Sequence, residues 1–132
     1  QRFYPFVGKA DKIEAAADVF LMPSRYEPCG LNQIYSLKYG TLPLVRATGG
    51  LADTIIDANT DNISNKTANG FVFETPSAND LSSKLLDALA LFGNKKAWHQ
   101  LQKKAMSADF SWEKSALTYV HLYEQLPNDK PL

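Results

Sequence analysis

The chain has 132 residues, 45% of them hydrophobic, which is the length of one ordinary domain and enough apolar material for a core of its own. Lysine plus arginine and aspartate plus glutamate number 14 each, so the formal net charge is zero; no overall field draws the protein to nucleic acid or to an anionic membrane, and any anion site has to be local. One cysteine excludes an internal disulfide, no Cys/His cluster has zinc spacing, and no apolar run approaches a membrane span or a signal peptide, so the composition reads as a soluble intracellular protein from a reducing compartment.

In chain order, "FYPFV" (3–7) is the first strand-like run; the chain opens in it without an initiator Met, which points to a piece of a longer protein. A short helical pattern follows over 9–16, then "DVFLMP" (18–23), an apolar run without alternation, as in strands covered on both faces. A helix is predicted to open near Gly30, to carry Leu31, Ile34 and Tyr35 on one face and to stop at Gly40, a natural residue just past a helix end. "LPLV" (42–45) is the next strand, "LADTIIDA" (51–58) a further helix and "NTDNISNKTANG" a polar loop with turn residues. After the strand "GFVF" (70–73) the chain turns helical. Ser77 and Asp80 form a capping box ahead of a stripe at Leu81, Leu85, Leu89 and Phe92 that ends at Gly93. Two more helices fit 95–107, through Trp98, Leu101 and Ala105, and 112–126, through Trp112, Ala116, Val120 and Tyr123. Alternation of strand and helix followed by helices predicts an α/β doubly wound parallel sheet with a C-terminal helical tail, in which 1–76 form a partial nucleotide-binding-type region and 77–132 the helical part of the same domain.

Ligands of open parallel sheets bind beyond the carboxyl ends of the strands. Two turns stand there. "SRYEPCGLN" follows the strand at 18–23: Gly30 sits where loop becomes helix, so the N–H groups of residues 30–32 can face an anion with no Cβ in the way. "ATGGL" follows the strand at 42–45: Thr48 offers a hydroxyl, and Gly49 and Gly50 open the backbone. On adjacent strands the two turns can hold the two ends of one nucleotide-sugar diphosphate, whereas each alone reads equally as a packing turn.

Glu27 would repel a phosphate; it suits sugar hydroxyls or a developing positive charge, or else is an exposed loop acid or a partner of Arg25. Cys29 reads as a small buried hydrophobe rather than a nucleophile, because no His/Asp set accompanies it, and its backbone matters more than its sulfur. His99 and His121 fall in the tail with solvated or structural roles. Trp98, Trp112 and the tail's other aromatics, at helical spacing, favour core packing over sugar stacking, and Lys95, Lys96, Lys103 and Lys104 a solvated face over a nucleic-acid stripe.

The run "ADVFLMPSRYEPCGLNQIYSLKYGTLPLVRATGGLADTI", with "GFVFE" and the tail "AMSADFSW…YVHLYEQL", resembles the C-terminal domain of the bacterial glycogen synthase and plant starch synthase family, over roughly residues 13–126. These are retaining glucosyltransferases of the two-Rossmann-domain GT-B architecture that use ADP-glucose. The resemblance implies that this chain is a truncated C-terminal Rossmann-like half. It implies that Glu27 lies next to the transferred glucose, and that Cys29, Gly30 and Leu31 form the turn whose amides approach that glucose and the distal phosphate. Thr48, Gly49 and Gly50 match the "TGGL" segment that lines the donor site; Asn32, where many members have threonine, is assigned to phosphate or ribose, Tyr35 to ribose or adenosine, and Arg25 to the same donor pocket. Tyr35 stands where related GT-B transferases carry a second glutamate. The family's donor-phosphate Arg and Lys, its other glycine loop and its active-site histidine lie outside this chain.

The implied reaction moves glucose from ADP-glucose to the non-reducing 4-hydroxyl of an α-1,4-glucan with retention, needing no cofactor and no metal, in a bacterial cytoplasm or a plastid stroma. The partners so implied are the donor, the glucan and an N-terminal GT-B domain, and this chain alone is expected to show little or no activity. A non-catalytic nucleotide-binding module, a structural fragment that pairs through a bare strand edge and a different sugar-nucleotide transferase are the alternatives; only the family likeness prefers ADP to UDP.

Overall fold

The computed structural model describes residues 10–126. The strand expected at 3–7 lies outside them. Helix α1 (Ala10–Ala16) leads into β1 (Val19–Met22), α2 (Asn32–Tyr39) and β2 (Leu42–Arg46). Two single-turn helices, α3 (Gly50–Thr54) and α4 (Thr60–Ser64), precede β3 (Phe71–Phe73), and the long helices α5 (Ala78–Gly93), α6 (Lys95–Met106) and α7 (Trp112–Glu124) complete the chain.

The three strands form one parallel sheet in the order β1-β2-β3, with Val19 opposite Leu42 and Leu44 opposite Phe71. This is the α/β Rossmann-like arrangement read from the alternation of elements. As the central strand, β2 loses nearly all contact with solvent: Leu42, Pro43, Leu44 and Val45 are buried, which is why "LPLV" has no polar alternation. Thr41 ties its start to α1, its hydroxyl donating toward the carbonyls of Glu14 and Ala17.

Beyond β3, α5 packs on the sheet and α6 against both α5 and α2. Trp98 of α6 is 2% exposed; it stacks on Phe71 with ring centres 6.0 Å apart and meets Phe92 edge-on at 5.0 Å, geometries that aromatic quadrupoles favour. Gln102 Nε2 donates to the Gly40 carbonyl at 2.8 Å, fastening α6 to the end of α2. Gly40 takes a left-handed conformation and returns its N–H to the Leu37 and Ser36 carbonyls, the helix stop expected of it. At the start of α5, Ser77 Oγ accepts from the Asp80 amide, the expected cap. Hydrogen bonds from Thr75 and then Ser77 hold the Asp80 carboxyl below its ordinary range.

Four expectations are corrected. The helix expected over 51–58 stops at Thr54, where Asn69 takes over the backbone: its Nδ2 donates to the Thr54 carbonyl and its Oδ1 accepts from Ile56 N–H, drawing 55–57 into extended chain. The loop after it contains α4, capped by Asn59. On α5, Leu81 and Phe92 of the expected stripe pack against the core, whereas Leu85 and Leu89 are exposed and Ala88 is the fully buried residue. The sharpest departure is α7, all of whose residues are exposed. Trp112 is 87% exposed rather than packed in a core.

Candidate functional site

The carboxyl ends of β1 and β2 open into the two glycine-bearing turns, and the structure sets these turns against each other. Arg46, the last residue of β2, holds the loop after β1 in place: its Nε donates to the Ser24 carbonyl at 2.7 Å and its Nη2 to that of Arg25. Two residues on, Glu27 turns back on its own loop, Oε1 accepting from Gly30 N–H at 3.2 Å. Gly50 N–H then donates to the Pro28 carbonyl at 3.2 Å, joining the second turn to the first backbone to backbone.

Gly49 has φ +46° and ψ −136°, a region open essentially to glycine. A Cβ on Gly49 would overlap the Glu27 carbonyl, and one on Gly50 the Cys29 carbonyl. The "GG" pair is therefore required by the contact between the turns as well as by their own bends. Thr48 and Gly49 supply the carbonyls that receive Leu51 and Ala52 N–H, opening α3.

Of the residues singled out in the sequence, Glu27, Cys29, Gly30, Gly49 and Gly50 converge in this double turn. Thr48 lies at its edge, partly exposed, and Leu31 and Asn32 open α2, where Leu31 at the cap position makes no side-chain cap. Tyr35 sits one turn further on, 49% exposed. Arg25 is exposed and forms no ion pair with Glu27 among the described residues. Glu27 is thus no partner of Arg25; its Oε2 has no protein partner among the described residues.

Three expectations change here. The Gly30 amide, expected to face an external anion, is taken by Glu27, which leaves the amides of Leu31 and Asn32 as first-turn donors of α2. Cys29 is exposed rather than a buried hydrophobe, and it is its carbonyl that lies against Gly50. The face of α2 is reversed: Leu31 and Tyr35 are exposed, whereas Gln33, Ser36 and Leu37 are buried. Two polar residues can occupy that face because their groups bond inward, Ser36 Oγ to the Asn32 carbonyl at 2.8 Å and Gln33 Nε2 to the Gly30 carbonyl at 2.8 Å.

A cavity of about 610 Å³ lies next to the second turn, beside the carboxyl end of β3, and Asp57, Glu74, Asp80 and Asp87 line it with Lys84. Lys84 is committed to Asp57 at 3.1 Å and Asp87 at 3.4 Å. So acidic a wall opposes a phosphate occupant. Among the described residues no cluster of His, Cys, Asp or Glu could hold a metal, and no helix is long and apolar enough to cross a membrane. Sequence reasoning missed Arg46 and Gln33; the only signal for Gln33 was an amide three residues after a helix-opening glycine.

The family model described as Glycosyl transferases group 1 matches residues 1–106. A glycogen synthase from Hydrogenovibrio crunogenus is 54% identical over 117 residues, 89% of this chain and 24% of that protein. A glycogen synthase from Koribacter versatilis is 56% identical over 116 residues, 88% of this chain and 23% of that protein. The chain thus spans about a quarter of the curated relatives it matches. Among solved structures, the catalytic domain of starch synthase IV from Arabidopsis thaliana, bound to ADP and acarbose, superposes with a TM-score of 0.73 at 39% identity, over 86% of this chain and 23% of that one. A sucrose-phosphate synthase from Thermosynechococcus elongatus gives a TM-score of 0.59 at 30% identity over 86% of this chain and 26% of its own.

Proposed function

The chain belongs to the group 1 glycosyl transferases, and on that premise we propose that it supplies part of the donor site of a retaining glucosyltransferase that moves glucose from ADP-glucose to the non-reducing end of an α-1,4-glucan. The observation that carries this reading is the double turn: two glycine-bearing strand-to-helix turns, joined through Gly50 N–H and the Pro28 carbonyl, at the carboxyl ends of adjacent parallel strands. Similarity to glycogen synthases, and to a starch synthase whose structure holds ADP and acarbose, supports an adenine nucleotide donor and a glucan acceptor. The rest of the longer protein, with an N-terminal domain across the cleft, completes the site, and the bacterial relatives favour a cytoplasmic setting.

When the glycosidic bond to the nucleotide breaks, charge develops on the departing phosphate, and donors aimed at that position lower the barrier. In this reading the Leu31 and Asn32 amides of α2 face the distal phosphate, with Thr48 at the rim. The helix after Gly50 contributes little, because α3 is a five-residue turn that ends at Thr54. Glu27, anchored through Oε1, presents Oε2 to the hydroxyls of the transferred glucose. Cys29 serves through its backbone, and Tyr35 and Arg25 border the nucleotide.

The full-length enzyme carrying Glu27→Gln tests the assignment. Turnover is expected to fall by about 10²-fold or more while ADP affinity changes by less than about threefold. Equal loss of both would remove Glu27 from the sugar. The second reading, a different sugar-nucleotide transferase, draws on the likeness to sucrose-phosphate synthase. Calorimetric titration with ADP-glucose and UDP-glucose separates the two.

A further inference from the structure

We propose that Gln33 is a positioning residue that clips the two glycine turns into one unit and so sets the geometry of the donor site; the inference rests on the donor-site reading above. Gln33 is fully buried, although α2 would gain more from an apolar side chain at that position. Its Nε2 donates at 2.8 Å to the Gly30 carbonyl and lies 3.3 Å from the Cys29 carbonyl, so the amide holds the first turn from beneath. The same nitrogen reaches Thr54 Oγ1 at 3.3 Å, and that hydroxyl donates to the Gly50 carbonyl at 2.6 Å. A continuous path therefore runs from Gly30 through Gln33 and Thr54 to Gly50, the buried counterpart of the Gly50 to Pro28 backbone bond.

The orientation of the amide follows from its surroundings. Turned the other way, Oε1 would face two carbonyl oxygens. As it stands, Oε1 is buried with no hydrogen-bond partner. An orphaned buried acceptor weakens the fold, and an apolar residue of similar length would remove that penalty. Stability alone does not account for an amide here. What the amide supplies is two N–H donors shared among the Gly30 and Cys29 carbonyls and the Thr54 hydroxyl, groups that define both turns, and small displacements of such groups have large effects on turnover.

The full-length enzyme carrying Gln33→Met separates positioning from packing, because the substitution conserves volume and removes the orphaned acceptor. The lost bonds to the Gly30 and Cys29 carbonyls offset the removal of the orphaned acceptor, so the melting temperature is expected to change by no more than a few degrees, while the donor KM increases about tenfold and kcat falls about tenfold, with the glucan KM unchanged. A purely structural glutamine would leave both constants of the folded enzyme at their original values, and that result overturns the proposal. Thr54→Val breaks the path at its other end and decides the matter alone if Gln33→Met does not fold. The same change in donor constants, restored by Thr54→Ser, supports the clip, and unaltered constants overturn it. ADP-glucose and UDP-glucose are assayed in parallel. An enzyme that uses UDP-glucose refutes the ADP assignment but leaves the clip to be read on that donor; one that uses neither overturns both.

Discussion

Helices α6 and α7 carry the same signal, a tryptophan and further apolar residues at helical spacing, and meet opposite fates. Trp98 is 2% exposed between Phe71 and Phe92, whereas Trp112 is 87% exposed. An amphipathic pattern states that a helix has an adhesive face, but not what lies opposite it. On α6 the opposing surface is α5, the C-terminus of α2 and Phe71 at the start of β3. Every residue of α7 is exposed, so its helicity rests largely on local terms: the Ser111 cap, which accepts from Lys114 N–H at 3.3 Å, and the charge near its first turn.

The largest expected difference comes from the two tryptophans. In this chain Trp98→Ala is expected to destabilise by about 3–5 kcal/mol, as core truncations of aromatics do, and Trp112→Ala by less than about 0.5 kcal/mol. Denaturant unfolding with fluorescence quenching measures both, since only Trp112 should be open to a soluble quencher in the native state. Comparable losses at both sites would mean that α7 is packed after all. A smaller effect is expected at the anchor of α6. Gln102→Ala removes the side-chain bond to the Gly40 carbonyl and should lower stability by about 1 kcal/mol. No side-chain bond of this kind ties α7 to another described helix or strand.

The smallest effect sharpens the contrast through pH. Hydrogen bonds from the Ser111 side chain and amide hold the Asp109 carboxyl below its ordinary value. A carboxyl whose pKa is depressed in the folded state contributes stability that is complete above the unfolded value of about 3.9 and is lost as pH falls through the lower folded value. Acidification below about pH 4 is therefore expected to fray the start of α7 first. Helix α6 is capped by the neutral side chain of Asn94, which accepts from Ala97 N–H and does not titrate in this range. Amide exchange followed from pH 6 to pH 3 reads the difference residue by residue; simultaneous loss in both helices would contradict it.

Much of the architecture was legible because its signals are local. "LPLV" has no polar alternation and became the central strand, Gly40 marked the end of α2, and Ser77 with Asp80 opened α5. The double turn was half legible. The glycines and Glu27 stood out by type and spacing, yet nothing in the order of residues said that Gly49 and Gly50 would lie against the carbonyls of Glu27 and Cys29. The shared face of Leu31, Ile34 and Tyr35 was legible, but not that Leu31 and Tyr35 would stay exposed while Gln33 and Ser36 are buried. Hydropathy favours the first pair, and only the Gly30 carbonyl and the Thr54 hydroxyl make the second tolerable.

By itself, then, the sequence determined most of the strands and helices, where most of them stop and which short stretch is dense in chemistry, because periodicity, capping and glycine conformation act over a few residues. Tertiary structure alone decided that Gly49 and Gly50 press against the Glu27 and Cys29 carbonyls, that Gln33 reaches Thr54 and that Trp98 lies in the core while Trp112 does not. The reason is physical: burial and hydrogen-bond satisfaction depend on which surface is brought opposite, and that surface comes from parts of the chain tens of residues away.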